Sequence, residues 1–320
     1  MLDVFFTVDV EIWCDGWQDI DKKFPSAFRK YIYGPTPTGN HGLPYTLDVL
    51  NEYGLTGVFF VEPLFAARFG KSPLAEIVGL IQESDQEIQL HLHPEWIDEA
   101  RMPLLKRRHG KQRYLRHFSM AEQTRLIGTA ANLLHQAGAE EINTFRAGSF
   151  AFNKDTLGAL AANGIPFDSS YNASTFGLDS GVMPGVAVVE PIKYEGIFEY
   201  PVTVFSDGTG SLRHVQLTAC SYKEMEGLLW QALEAGRSSF VIVSHNFELL
   251  NLAKDRADDQ VVKRFQNLCA FLDMNRDCFN VAGFQDLDPQ LTRWQPAPLD
   301  SPLWKTGARM VEQVYRRKYK

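Results

Sequence analysis

Cysteine is scarce in this chain. Cys14, Cys220, Cys269 and Cys278 are the only four in 320 residues, and none sits in a CxxC pair. Such scatter excludes a disulfide framework and reads as buried or free thiols of a reducing compartment. Basic charge is short as well: the formal net charge is -7 and the pI about 5.7. Nucleic acid is therefore not an expected partner, because phosphate binding needs a basic footprint. No apolar run reaches the length of a membrane span, and Asp3 interrupts the N-terminus before an apolar signal region forms. The expectation is a cytoplasmic protein without a transmembrane segment. Repeats and low-complexity stretches are missing too. Core material is plentiful: 45% hydrophobic and 12% aromatic residues suffice for one large domain or two small ones.

Strand-like runs alternate with helical patterns. The runs are Val4–Val8, Gly57–Val61, Glu87–His91, Glu141–Phe145, Gly196–Val204, Ser239–Ser244 and Cys278–Val281. Between them, Gly42–Glu52 carries Leu43, Leu47 and Leu50 at helical spacing, and a further helix is expected over Asp258–Asp273. Ser119 with Glu122, and Ser221 with Glu224, form capping boxes that open helices over Ser119–Gln136 and Ser221–Ala235. This rhythm predicts βα units, a parallel sheet and the α/β class, and closure into a barrel fits the number of units. Residues 1–290 form the expected catalytic barrel. Residues 291–320 form a basic tail, expected to be a helix packed on it. The last twenty residues hold six Lys/Arg and one Glu, so a weak contact with an anionic membrane surface is a second reading of the tail.

Chemistry concentrates at strand exits. Val8-Asp9-Val10-Glu11 closes an apolar run, and i, i+2 spacing on an extended strand puts Asp9 and Glu11 on one face. Two acids leaving a buried strand need something positive, such as a metal ion. His91 and His93 repeat the spacing in Gln89-Leu90-His91-Leu92-His93-Pro94. Carboxylates and imidazoles gathered at strand ends suit a metal-dependent hydrolase. Cys14–Asn40, rich in aromatics, reads as a long loop that walls a substrate or covers a barrel end, with Trp13 as a candidate substrate contact. His41, in Gly39-Asn40-His41-Gly42, is another. The run Lys106-Arg107-Arg108-His109 reads first as a solvated loop face and second as a lining for an anionic substrate.

Seven motifs in order carry a resemblance. They are Thr7-Val8-Asp9-Val10-Glu11; Gly42-Leu43-Pro44 with Gly57-Val58-Phe59-Phe60-Val61; Glu87 to Pro94; and Phe145-Arg146-Ala147-Gly148-Ser149-Phe150. Phe167-Asp168-Ser169-Ser170, Glu199-Tyr200-Pro201-Val202 and Ile242-Val243-Ser244-His245 follow. Together they resemble the NodB-type polysaccharide deacetylases, carbohydrate esterase family four, over roughly residues 2–284. They are also similar to a divergent branch accompanying lipopolysaccharide and capsule biosynthesis. The resemblance implies a deformed (β/α)7-type barrel and a divalent metal, zinc first, with cobalt, manganese or nickel as alternatives. It further implies hydrolysis of an amide C–N bond, the N-acetyl group of an amino sugar or glycan. By the same resemblance Asp9 is the catalytic base, Glu11, His91 and His93 are metal ligands, and Arg146 holds the base. Asp168 orients the catalytic acid, which is His245.

Three departures stand out. The family has adjacent aspartates where this chain has Asp-x-Glu, and His-x-x-x-His where it has His-x-His; Ala147 replaces the usual proline. Which of Asp9 and Glu11 binds metal, and whether both histidines do, stays open at this point. Two other functions are weighed: a deformylase or another amidohydrolase, and an inactive barrel that binds a glycan or a partner. The oligomeric state is not legible.

Overall fold

The structure, a computed structural model, describes residues 1–106, 110–292 and 294–319. Arg107, Arg108 and His109, most of the basic run read as a candidate anion lining, lie outside the described residues. The chain divides into two compact units: Met1–Gly57 with Thr203–Ala282 and Pro296–Lys320, and Val58–Val202 with Gly283–Gln295.

In the first unit the strand Leu2–Val10 lies between two parallel neighbours, Ser239–His245 and Phe279–Val281. Its residues are buried on both faces apart from Asp3, which is why it reads as a continuous apolar run rather than an alternating one. Thr7 resolves its one polar group by donating to Ile242 O at 2.7 Å. Helices Leu43–Glu52, Tyr222–Glu234 and Asp259–Met274 each bury one apolar face. The capping box at Ser221 and Glu224 is formed. Glu224 also accepts from Arg309 of the terminal helix Leu303–Tyr319 at 2.7 Å. Arg309 reaches Asp207 as well, and Arg316 pairs with Asp258 at 2.8 Å, so two of the tail's cations point into this unit. Leu303, Trp304, Met310, Val311 and Val314 of the same helix are exposed.

The second unit carries five parallel strands in the order Gly57–Val61, Glu87–Leu92, Thr144–Ala147, Phe167–Asp168 and Ile197–Glu199. Ile192–Tyr194 is antiparallel at the edge. Helices Ser72–Gln82, Met120–Gln136 and Lys154–Ala162 accompany them, the second opened by the expected Ser119–Glu122 box.

Three elements differ from expectation, each for a physical reason. The run Glu141–Phe145 becomes a strand only at Thr144. Ahead of it, buried Gln89 accepts from the backbone N–H of Asn143 and Thr144 at 3.0 and 2.8 Å, so a side chain replaces the ladder there. The run Gly196–Val204 splits into Ile197–Glu199 and Val204–Ser206 around Pro201, which has no N–H to donate. The stretch Cys14–Asn40 is largely ordered rather than loop: it holds the helix Ile20–Phe28, a π turn over Arg29–Tyr33 and a short hairpin. Its aromatics Phe24, Phe28 and Tyr31 are buried, so they serve its own packing.

Candidate active site

Strand register builds the first half of the site. Asp9 is paired with His245 across adjacent parallel strands, and both side chains leave at the same end. Asp9, Glu11 and His245 each offer an atom, and these atoms lie within 4.8 Å of one another. Asp9 and Glu11 are buried, 3% and 7% exposed, so solvent would do little to screen a charge on either.

Glu11 sits one residue beyond its strand, yet it is fixed. Asn246 accepts from its N–H at 2.9 Å and donates to its carbonyl at 3.2 Å, while also donating to Tyr31 O at 2.7 Å. Trp13 donates its indole N–H to Glu11 Oε2 at 2.7 Å. Trp13, expected as a substrate contact, thus aims its polar edge at the carboxylate.

His245 is held by Glu248, whose Oε1 lies 2.7 Å from Nδ1. Glu248 also accepts from Gln216 Nε2 and from the Thr218 N–H, and His214 Nε2 meets Gln216 Oε1 at 3.0 Å. With Nδ1–H given to a carboxylate, Nε2 is the ring nitrogen left for chemistry. Burial pulls the imidazole pKa down, but Glu248, Glu11 and Asp9 outweigh it and raise the value to about 9. His245 is therefore an imidazolium near neutrality. The orienting role expected of Asp168 meets a different residue here, because Nδ1 has one proton and Glu248 receives it.

In the second unit His91 and His93 stand with ring centroids 4.8 Å apart. His91 Nδ1 is 2.8 Å from Arg146 O, and His93 Nδ1 is 3.2 Å from Glu95 Oε2. A backbone carbonyl accepts only from an N–H, so His91 carries a proton on Nδ1 and turns its Nε2 the other way. Glu95 asks the same of His93. That is the arrangement of metal-ligating histidines, oriented by a carbonyl and a carboxylate behind them. Both rings are buried. Gly148 makes room: a Cβ there would come within 2.7 Å of the His93 ring. Ser149 and Phe150 follow with φ of +55° and +57°, a left-handed pair that costs of order ~1–3 kcal/mol per residue and sits beside the histidines. The donor set of carboxylate oxygen and imidazole nitrogen suits zinc and its neighbours.

Arg146 is fully buried. Its Nε donates to Ser169 O and a terminal nitrogen to Ser169 Oγ, both at 3.0 Å, and its guanidinium lies 4.3 Å from the Phe60 ring centroid. Ser170 accepts from the Ala147 N–H and donates to Asp168 Oδ1 at 2.6 Å. Glu199 accepts from the Tyr171 N–H at 3.0 Å. Burial raises the pKa of both Asp168 and Glu199. The Asp168 carboxylate raises Glu199 further, which makes Glu199 the member of the pair that favours the proton.

His41 keeps to its own segment, stacked on Tyr45 at 4.9 Å with Nδ1 near Thr36 Oγ1 and Gly39 O. Sequence reading missed Asn246, Glu248, Glu95 and Ser169 as working residues. Glu248 and Glu95 had a signal: each is an acid two or three residues past a motif histidine.

No protein-family model matches the sequence, and no curated protein matches it. Among solved structures, a provisionally assigned polysaccharide deacetylase from Mycobacterium smegmatis shares 18% identity over 91% of this chain and 95% of that chain, with a TM-score of 0.52. A family 4 carbohydrate esterase from Streptomyces lividans, solved with acetate, gives 11% over 88% and 91%, TM-score 0.42. A family 4 pseudoenzyme from Bacillus anthracis gives 12% over 83% and 60%, TM-score 0.39. The first establishes the fold: the chain has the α/β, deformed-barrel fold of that deacetylase. The other two add no weight.

Proposed function

We propose that the protein is a metal-dependent hydrolase that removes the N-acetyl group of an amino sugar during cell-surface polysaccharide or lipopolysaccharide assembly. The observation that carries this reading is the placement of His245, whose Nδ1 Glu248 fixes while the ring lies beside the carboxylates of Asp9 and Glu11. Glu11, His91 and His93 are the proposed ligands, supported by two buried imidazoles that are each oriented through Nδ1. A bound divalent ion supplies Lewis acidity, which polarises an amide carbonyl and lowers the pKa of water.

The chain's own groups do the rest. Asp9 accepts the proton of the attacking water. The water oxygen bonds to the acetyl carbon, and the C–N bond breaks as His245 Nε2 donates a proton to the amine. Acetate and the free amino sugar leave. General acid catalysis of this kind contributes ~10²–10⁴-fold. Glu248 holds the imidazolium in position, and Arg146 is proposed as the cation that keeps Asp9 ionised.

Among the described residues no helix is long and apolar enough to cross a membrane. The proposed substrate is a cytoplasmic biosynthetic precursor, nucleotide-linked, lipid-linked or oligomeric, rather than mature wall. Acetate and formate release from a panel of acylated amino sugars tests the reading. Acetate release that needs metal and falls at least ~10²-fold in Asp9→Asn supports it. Formate in its place points to a deformylase, and release of neither acid from any sugar rejects the deacylase reading in favour of a binding barrel.

A further inference from the structure

Beside His245 the first unit holds a cavity of about 400 Å³, lined also by Phe247, Glu248, Lys254, Asp258 and Arg316. Its charges are almost all matched within the protein. Glu248 is committed to His245, and Asp258 Oδ2 accepts from Arg316 Nε at 2.8 Å. Lys254 is the exception. Its Nζ lies 5.0 Å from the Tyr31 ring centroid and 5.1 Å from that of Phe247, and it makes no hydrogen bond or ion pair among the described residues. The nearby Asp15 carboxylate is 3.6 Å from Lys30 Nζ and so answers that lysine.

The backbone presents Lys254 deliberately. Its φ is +54°, unusual for a residue with a side chain, and its N–H is tied to Asn251 O at 2.9 Å. Asn251 also accepts from the Asp255 N–H at 3.1 Å and donates to Asp255 Oδ1 at 2.9 Å, which clamps the turn. A strained, clamped turn holding a half-buried ammonium over two rings favours a cation fixed for a counter-charge that comes from outside. Phe247 links Lys254 to the site, its ring tilted by 33° against that of His245 with centroids 5.4 Å apart.

We infer that Lys254 receives an anionic group carried by the substrate, a phosphate or a carboxylate, so that the enzyme prefers a negatively charged amino sugar to a neutral one. The substrate class deepens the proposed function and rests on it for the presence of a sugar. Phosphate and carboxylate share the chemistry that Lys254 would read, a compact oxyanion accepting a charge-assisted hydrogen bond.

Calorimetric titration of the metal-loaded protein tests this without turnover, in the Asp9→Asn background. The probes are N-acetylglucosamine 1-phosphate, N-acetylmuramic acid and neutral N-acetylglucosamine. At least one anionic sugar is expected to bind about tenfold tighter than the neutral one, the factor of a single charge-assisted hydrogen bond. Lys254→Met should erase that preference and Lys254→Arg should keep most of it, with the thermal midpoint of each variant as the control for folding. The inference is overturned if no anionic sugar is preferred, if none binds, or if Lys254→Met leaves the preference intact. Acetate release from neutral glycans that ignores Lys254 would sink it while leaving the deacetylase reading standing. A Lys254-dependent preference without any acyl release would sink the reaction and keep the anion site.

Discussion

The cluster around His245 in the first unit and the cluster around Arg146 in the second treat ionisable groups in opposite ways. In the first, Asp9, Glu11, His245 and Lys254 lie close to a cavity, and His245 keeps 23% of its side chain exposed. In the second, Arg146, Asp168, Ser169, Ser170 and Glu199 are each sealed at 0% exposure and bonded to one another. Exposure with a raised imidazole pKa is what proton transfer requires, because the proton has to enter and leave. Sealed charge is useless for that but good for holding a backbone, since any loosening would strand an unpaired ion. In the proposed reaction the first region reacts and the second positions. His91 and His93 belong to the positioning region by burial, and each is oriented through its Nδ1.

The largest effects should separate these roles. His245→Asn is expected to lower kcat by ~10²–10⁴ with little change in thermal midpoint, as removal of a general acid does. Glu248→Gln should cost less and move the alkaline limb of the pH–rate profile to lower pH, because it takes away a main support of the raised His245 pKa. The same raised value makes a stability statement: that contribution is complete below the unfolded value near 6.5 and is lost as pH rises through about 9. Glu248→Gln should flatten that loss. A kcat loss in His245→Asn matched by an equal collapse of stability would erase the distinction between the regions.

Arg146→Met should act the other way, destabilising by ~3–5 kcal/mol through the uncompensated buried Asp168 it leaves behind. Chemical unfolding measures this directly. A midpoint like that of the native chain would show that the guanidinium is not the anchor its contacts describe.

The smallest effect is expected at Glu199. Because it is the protonated member of the pair, Glu199→Gln replaces a neutral donor by a neutral donor and should change stability at pH 7 by less than ~1 kcal/mol. Both carboxyls have raised pKa values in the fold, so the native state keeps protons that the unfolded chain releases. Stability therefore falls as pH rises above the ordinary carboxylate range, and Glu199→Gln should shallow that slope. Denaturation curves between mildly acidic and neutral pH read it.

Much of this was legible in the sequence where local chemistry decides. The capping boxes at Ser119 and Ser221, the all-apolar strand Gly57–Val61 and the one-face pairing of Asp9 with Glu11 follow from spacing alone. Tertiary partners decided the rest. The helix Ile20–Phe28 contains Pro25 and opens without a side-chain cap, so its signals are those of a loop, and packing of Phe24 and Phe28 settles the matter. Asn246 and Glu248 lie directly after a motif histidine, but their work is done on Glu11, Tyr31 and Gln216, far away in sequence. Glu199 stood inside a quoted motif without a role, because only burial against Asp168 turns it into a proton holder.

Metal stoichiometry is the most direct test of the central claim, that Glu11, His91 and His93 hold one divalent ion for the acid and base beside them. Elemental analysis of the native chain, Glu11→Gln, His91→Ala, His93→Ala and Asp9→Asn after equilibration with a slight excess of zinc and removal of unbound ion would supply it. The account predicts one ion per chain in the native protein and in Asp9→Asn, and loss of the ion in the other three. Full occupancy in both His91→Ala and His93→Ala would contradict it.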